Sequence, residues 1–252
     1  YRPPDPIIIG AVPRPGAPPS PRFEEAQRRV MNAKLNGRPA VGRCPHGFMF
    51  QRLYYLRGFK NLLIDFIREP PELQRLVDMV VDYNMKVVRK WLEVDVDVMI
   101  FGDDLGTQTG MPISPRAFRK YLKPAYSKIF GIVRESGAHV YLHSDGHIME
   151  VVEDLMESGA TILNLQDLVN GIDNIRRACY GKVCIDIDID RQFIVPFGKP
   201  KQIKRHIRRV IKALMSSDGG LMVTVGIYPP TPLENIEAVC QALEDMGCGP
   251  KY

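Results

Sequence analysis

Residues 138–167 read AHVYLHSDGHIMEVVEDLMESGATILNLQD. The opening part alternates. His139, Tyr141, His143 and Asp145 fall on one side of an extended chain, Ala138, Val140 and Leu142 on the other. From His147 to Gly159 the spacing is helical, and Ala160–Asp167 reads as a second strand. Two strands joined by a helix of this length run parallel, with the helix packed across them.

The unit recurs on both sides. Downstream, GIDNIRRACYG reads as a helix, KVCIDIDID as a strand, Lys199–Ser216 as a helix, GGLMVTVG as a strand and Pro232–Met246 as a helix. Upstream, DVDVMIFGDD is a strand, followed by a helix from Pro115 to Ser136. Before it, PPELQRLVDMVVDYNMKVVRKWLEV predicts a long helix that opens on proline, a residue favoured in the first turn. FMFQRLYYLRG and KNLLIDFIRE predict two short helices, PAVGRC a strand, and RFEEAQRRVMNAKLNG a helix ending at Gly37. No GxGxxG or GxxxxGK[ST] follows a strand, which removes support from a nucleotide-binding doubly wound sheet. The expectation is an α/β fold, a (β/α)₈ TIM barrel with six or seven strands in this chain and its first N-terminal element lacking. Residues 1–22, rich in proline, form an N-terminal segment in which IIIGAV reads as a short strand; residues 23–252 form the barrel domain.

The composition agrees. Of 252 residues, 45% are hydrophobic and 25% charged, which suits one globular domain. The formal net charge of +5 is spread along helices, so no nucleic-acid partner is expected. Five cysteines, none in a CxxC pair, argue for reduced thiols. No stretch reads as a signal peptide or a transmembrane run, so a cytoplasmic location away from membranes is expected.

A barrel carries its working residues at the C-terminal ends of its strands. Those ends are polar here: Asp103 and Asp104 with Gln108 beyond, His143 and Asp145, Asn164, Gln166 and Asp167, then Asp186, Asp188 and Asp190, and finally Gly226 and Tyr228. His46, after GRCP, lines the same mouth. Asp186, Asp188 and Asp190 share a strand face at roughly 7 Å steps and need a cation, a proton or water between them. Arg191 is adjacent, and Arg43 and Arg52 are other sources of positive charge. Plainer roles compete: Asp145 or Ser144 as a helix cap, Asp104 as a turn residue before Gly106, His143 as a hydrogen-bonded structural histidine. His147 and His206 fall on predicted helices and read as surface residues.

Four pieces, GDDLGTQTGMPISPRAFRKYLKP, GAHVYLHSDGHIMEVVEDLMESGATILN, IDRQFIVPFGKPKQIKRHI and GIYPPTPLENIEAV, resemble the uroporphyrinogen decarboxylase superfamily, over roughly Pro39 to Met246. That superfamily includes porphyrinogen decarboxylases and methyltransferases that work with corrinoid proteins. The resemblance implies a barrel with its site at the strand C-termini. The upstream family segment that anchors substrate in decarboxylases has no clear counterpart. The methyltransferase branch shows His-x-Cys at the position of HSD and a second cysteine before the glycine of VTVGI, thiolates that hold zinc. Here His143 matches, but Asp145 and Val225 replace the cysteines. A zinc ion held by His143 with Asp145 or Asp104 would be a stronger Lewis acid towards an ether oxygen.

The functional expectation is transfer of a methyl group from a small, methoxylated substrate to a corrinoid carried by a partner protein. His143, Asp145 and Asp104 are the catalytic candidates, His143 and Asp145 the metal ligands. Asp103, Gln108, Gln166, Asp190, Tyr228 and His46 are the substrate-binding candidates. A homodimer is expected. The alternatives are a cofactor-free decarboxylase acting on a porphyrinogen-like acid, and a non-catalytic barrel that serves as a binding module.

Overall fold

The computed structural model describes residues 21–247, so the expected IIIGAV strand lies outside the described residues. Six parallel strands form one sheet in sequence order: β1 (Val41–Arg43), β2 (Val98–Gly102), β3 (His139–Ser144), β4 (Ile162–Gln166), β5 (Cys184–Ile189) and β6 (Leu221–Val225). This order, each strand beside its successor, is the winding of a (β/α) barrel. The helices are α1 (Pro21–Leu35), α2 (Phe50–Arg57), α3 (Phe59–Arg68), α4 (Pro71–Leu92), α5 (Lys123–Glu135), α6 (Val152–Glu157), α7 (Asp167–Asn170), α8 (Ile172–Cys179), α9 (Ile194–Phe197), α10 (Pro200–Leu214) and α11 (Leu233–Asp245). Among the described residues, no helix is long and apolar enough to cross a membrane.

The period-two pattern sets the two faces of the sheet. Val140, Leu142, Leu163, Leu165, Ile185, Ile187 and Ile189 are at most 2% exposed and form the wall beneath the helices. Each such side chain contributes about 1.5–3 kcal/mol by leaving water. Tyr141, His143, Asn164, Asp186 and Asp188 alternate with them on the other face. The register sets Gly102 beside His143, His143 beside Asn164, and Asn164 beside Asp186, one row across four strands. Behind β2, an aromatic cluster of Phe48, Phe101, Tyr126 and Phe130 fills the space below α5, with ring centroids 5.0–6.1 Å apart.

Two helices depart from expectation. Pro115–Ser136 is continuous but changes pitch. Phe118–Leu122 forms a wide π turn, and the Lys123 N–H donates to the Phe118 carbonyl, immediately before Pro124, which has no N–H to give. The helix expected from His147 starts only at Val152. The amides before it are committed elsewhere: His147 N donates to the Thr107 carbonyl at 2.7 Å and Ile148 N to Asn170 Oδ1 at 3.0 Å. Neither Asp145 nor Ser144 therefore caps this helix. Ser144 Oγ instead accepts from Leu105 N at 3.0 Å.

These bonds lace the loops after β2 and β3 backbone to backbone. Gly146 sits at φ +81° with its α-carbon against Gly106, where a Cβ would collide with the Gly106 and Thr107 main chain. Gly146→Ala is expected to cost at least about 1–2 kcal/mol from the left-handed conformation alone. Thermal unfolding followed by circular dichroism should show a melting temperature lower by at least about 2–4 °C.

Candidate functional site

The site begins with a buried tie. Asp103, at the end of β2, is fully buried, and its carboxylate accepts from Phe50 N at 2.5 Å, Gln51 N at 2.9 Å and Tyr126 Oη at 2.7 Å. Burial drives its pKa up to about 6 against these hydrogen bonds. Asp103 was expected to touch substrate. It instead caps α2 and fastens the β1–α2 loop to β2, with its side chain turned into the core.

That loop carries His46. Gly47 N and Phe48 N both donate to the Gly102 carbonyl, at 2.8 and 3.3 Å, which lays the imidazole over the end of β2. Gly102 makes the approach possible, because a Cβ there would strike His46 Nδ1. His46 Nε2 then lies 3.1 Å from Asp104 Oδ2, and Gln51 Nε2 donates to the same oxygen at 3.0 Å. The other oxygen, Asp104 Oδ1, accepts from Asp145 N at 3.3 Å and lies 3.6 Å from His143 Nε2. Asp104 is thus a junction between two imidazoles rather than a turn residue. The hydrogen bond to Asp104 raises the pKa of His46 above the ordinary imidazole value, against partial burial. Burial works to raise that of Asp104, but His46 and the Asp145 N–H outweigh it, and the carboxyl stays below the ordinary range.

His143 reaches the same point from β3. Its Nδ1 lies 2.5 Å from Asn164 Oδ1, and its Nε2 also lies 3.6 Å from Asp145 Oδ1. Asp145 is engaged by Arg191, whose Nη2 donates to it at 2.6 Å while Nη1 meets Asp188 Oδ2 at 3.2 Å. Tyr228, exposed at the rim, places its ring 5.9 Å from the Arg191 guanidinium. One donor atom each from His46, Asp104 and His143 lie within 4.8 Å of one another, a grouping able to hold a metal ion. Asp145, expected as a ligand beside His143, is not in that group, because its carboxylate is turned to Arg191. The thiolate set of the methyltransferase branch is absent at these positions, so the donors that fit an ion here are nitrogen and oxygen.

The remaining candidates divide. Gln166 is buried and uses Oε1 to accept from Gly146 N at 2.8 Å, so it supports the loop after β3. Asp190 accepts from Phe193 N at 2.7 Å and Ile194 N at 2.6 Å, and so caps α9 rather than touching substrate. Gln108 is exposed on the loop after β2. His206 is not a surface residue: its Nε2 lies 2.6 Å from Asp167 Oδ2, with the two side chains 10% and 1% exposed. His147 is half-buried, and its Nδ1 is buried without a partner. Gln51 carries no mark in the sequence that would single it out, since its role arises only when α2 meets β2. Asp186 is shared by Tyr141 Oη at 2.6 Å and Thr224 Oγ1 at 3.0 Å.

Asp188 is buried with Oδ1 lacking a partner, and burial pushes its pKa up to about 6 against the pull of Arg191. Between its unfolded pKa, about 3.9, and that value the folded chain holds a proton that the unfolded chain has lost. Stability from this group is therefore full below the unfolded pKa and is lost as pH rises through about 6. In melting curves between pH 4 and 7, wild type should lose stability relative to Asp188→Asn as pH rises; a flat or rising difference would contradict the assignment.

The sequence model described as uroporphyrinogen decarboxylase (URO-D) matches residues 47–246. Uroporphyrinogen decarboxylase of Thermus thermophilus is 25% identical over 180 residues, 68% of this chain and 48% of that protein. Methylcobamide:CoM methyltransferase MtaA of Methanosarcina barkeri is 22% identical over 193 residues, 75% of this chain and 54% of that protein. The chain thus spans about half the length of the curated relatives it matches. Among solved structures, a methyltransferase from Methanosarcina mazei aligns with a TM-score of 0.66 at 19% identity, over 89% of this chain and 64% of that one. A B12-independent methionine synthase from Shewanella sp. W3-18-1 aligns at 0.53 and 12% identity, over 91% and 68%. These two likenesses establish the α/β barrel fold alone, whereas the sequence match covers well over half of the chain. The chain belongs to the uroporphyrinogen decarboxylase family.

Proposed function

We propose that the protein takes a methyl group from a small methoxylated substrate and passes it to a corrinoid carried by a partner protein. The observation that carries this reading is the convergence of His46, Asp104 and His143 at the strand ends, a donor set suited to an electrophile rather than to an acid substrate. A relative named for methyl transfer from a methylcobamide supports methyl chemistry at a corrinoid, though in the opposite direction. A divalent cation bound by these residues would draw electron density from an ether oxygen. Such a transfer would leave the electron pair of the methyl–oxygen bond on oxygen, which would need a proton from the site, while a corrinoid in its cobalt(I) state would supply the nucleophile that accepts the methyl. Asp188, which holds a proton up to about pH 6, and Arg191 beside it form the polar floor from which that proton and an orienting hydrogen bond would come.

Decarboxylation is the second reading, favoured by the Thermus relative. It requires cations to hold the substrate's carboxylates. Arg191, at the mouth, is already engaged by the Asp145 carboxylate and by Asp188, which weighs against it.

The test supplies cob(I)alamin in place of the partner and a panel of methoxylated benzoates. The expected result is loss of the cob(I)alamin absorbance and appearance of methylcobalamin, reduced at least about 100-fold in His143→Ala. Carbon dioxide release from uroporphyrinogen without methyl transfer would replace this reading with the decarboxylase. Neither activity would leave a binding module.

A further inference from the structure

The geometry points to a divalent-metal site made by His46 Nε2, the Asp104 carboxylate and His143 Nε2, with Asn164 as the positioning residue that fixes His143 as a ligand rather than a proton donor. The inference rests on the reading of the strand mouth as the working site and goes further, because it names the ligands, the tautomer and the residue that sets it. His46 lies just outside the span matched by the family, so that match gives it no role.

The tautomer follows from a chain of hydrogen bonds. Asn164 is 4% exposed, and its Nδ2 donates to the Asp186 carbonyl at 2.9 Å. A carbonyl only accepts, so the amide cannot be turned round; its Oδ1 must face His143. Oδ1 also only accepts, so the 2.5 Å contact requires a proton on His143 Nδ1. In the neutral ring Nε2 then carries a lone pair, aimed at Asp104 Oδ1 and Asp145 Oδ1, both 3.6 Å away. A lone pair facing two carboxylate oxygens is repulsive unless a positive charge lies between them. His46 brings a second imidazole nitrogen to the other oxygen of the same carboxylate.

Asp145 could compete as a ligand, but its carboxylate is held by Arg191 at 2.6 Å. Arg191 in turn has room because residue 226 is glycine, where a Cβ would lie 3.0 Å from Arg191 Cδ. Three protein donors leave positions open to a substrate oxygen, as in catalytic zinc sites. The set of two imidazoles and one carboxylate admits zinc, iron(II) or cobalt(II).

The test is binding of the metal itself. The chelator-treated protein is titrated with Zn²⁺ by calorimetry and with Co²⁺ by visible absorption, with folding of every variant checked by circular dichroism. One ion per chain is expected. His46→Ala, Asp104→Ala and His143→Ala should each weaken binding by more than about 100-fold, and Asn164→Ala by about 10–100-fold. Asp145→Asn should change it less than about threefold. Nitrogen-15 spectra of the histidines in metal-free protein should show His143 protonated at Nδ1. Failure to bind either ion, affinity unmoved by His46→Ala, loss of binding in Asp145→Asn, or an Nε2–H tautomer of His143 would each overturn the site. The outcome separates from the functional reading. Metal binding without methyl transfer removes that reading and keeps the site, whereas methyl transfer by ion-free protein does the reverse.

Discussion

The burial of one carboxylate organises this molecule. Asp103 is enclosed, so its charge must be met inside the protein, and two main-chain amides of α2 and one phenol meet it. The consequence is spatial. Joining the start of α2 to the end of β2 leaves the intervening loop little freedom, and His46 is delivered to the rim. The next residue along, Asp104, points the other way by strand alternation and receives His46. A residue of the core and a residue of the mouth are thus consecutive in the chain, each depending on the other's placement.

The mouth is acidic, and each of its carboxylates has a polar partner. Asp104 is met by the His46 imidazole, the Gln51 amide and the Asp145 N–H, Asp145 and Asp188 by a single guanidinium. Asp186, further down β5, is met by the hydroxyls of Tyr141 and Thr224. The guanidinium fork explains how two carboxylates share one cation, since its two terminal nitrogens point along different directions. It also divides the mouth into a half built around imidazole and a half built around arginine.

Much of this was legible in the sequence, and the reasons are physical. The β3–β4–β5 sequences alternate apolar and polar residues so regularly that strand faces could be assigned, and Val140, Leu142, Ile185 and Ile187 are buried as that assignment requires. His46, Asp104 and His143 were singled out because polar residues at strand ends are concentrated in one place by the fold. What could not be read was direction. Asp103 and Asp104 are chemically identical, and it is Asp103 that continues the buried face of Met99 and Phe101. Asp190 and Gln166 look like rim residues by position, but nearby amides claim them. His206 appeared to lie on a polar helix face, yet α10 packs so that this side chain meets Asp167. Pairings across elements, such as His143 with Asn164 or Asp145 with Arg191, depend on register and loop closure, which local pattern does not encode.

The placement of the mouth within the sheet has one further effect. β1 and β6 are the outermost strands among the described residues, and side chains on them, Val41 and Met222, stay partly in water at 43% and 39% exposure. The strands bearing Asp104, His143, Asn164 and Asp188 are the inner four, each laddered on both sides. Fraying, slippage or the annexation of another strand at the β6 margin would be absorbed there, away from the groups on the inner strands, whereas a change at β1 would reach His46 through the loop that follows it.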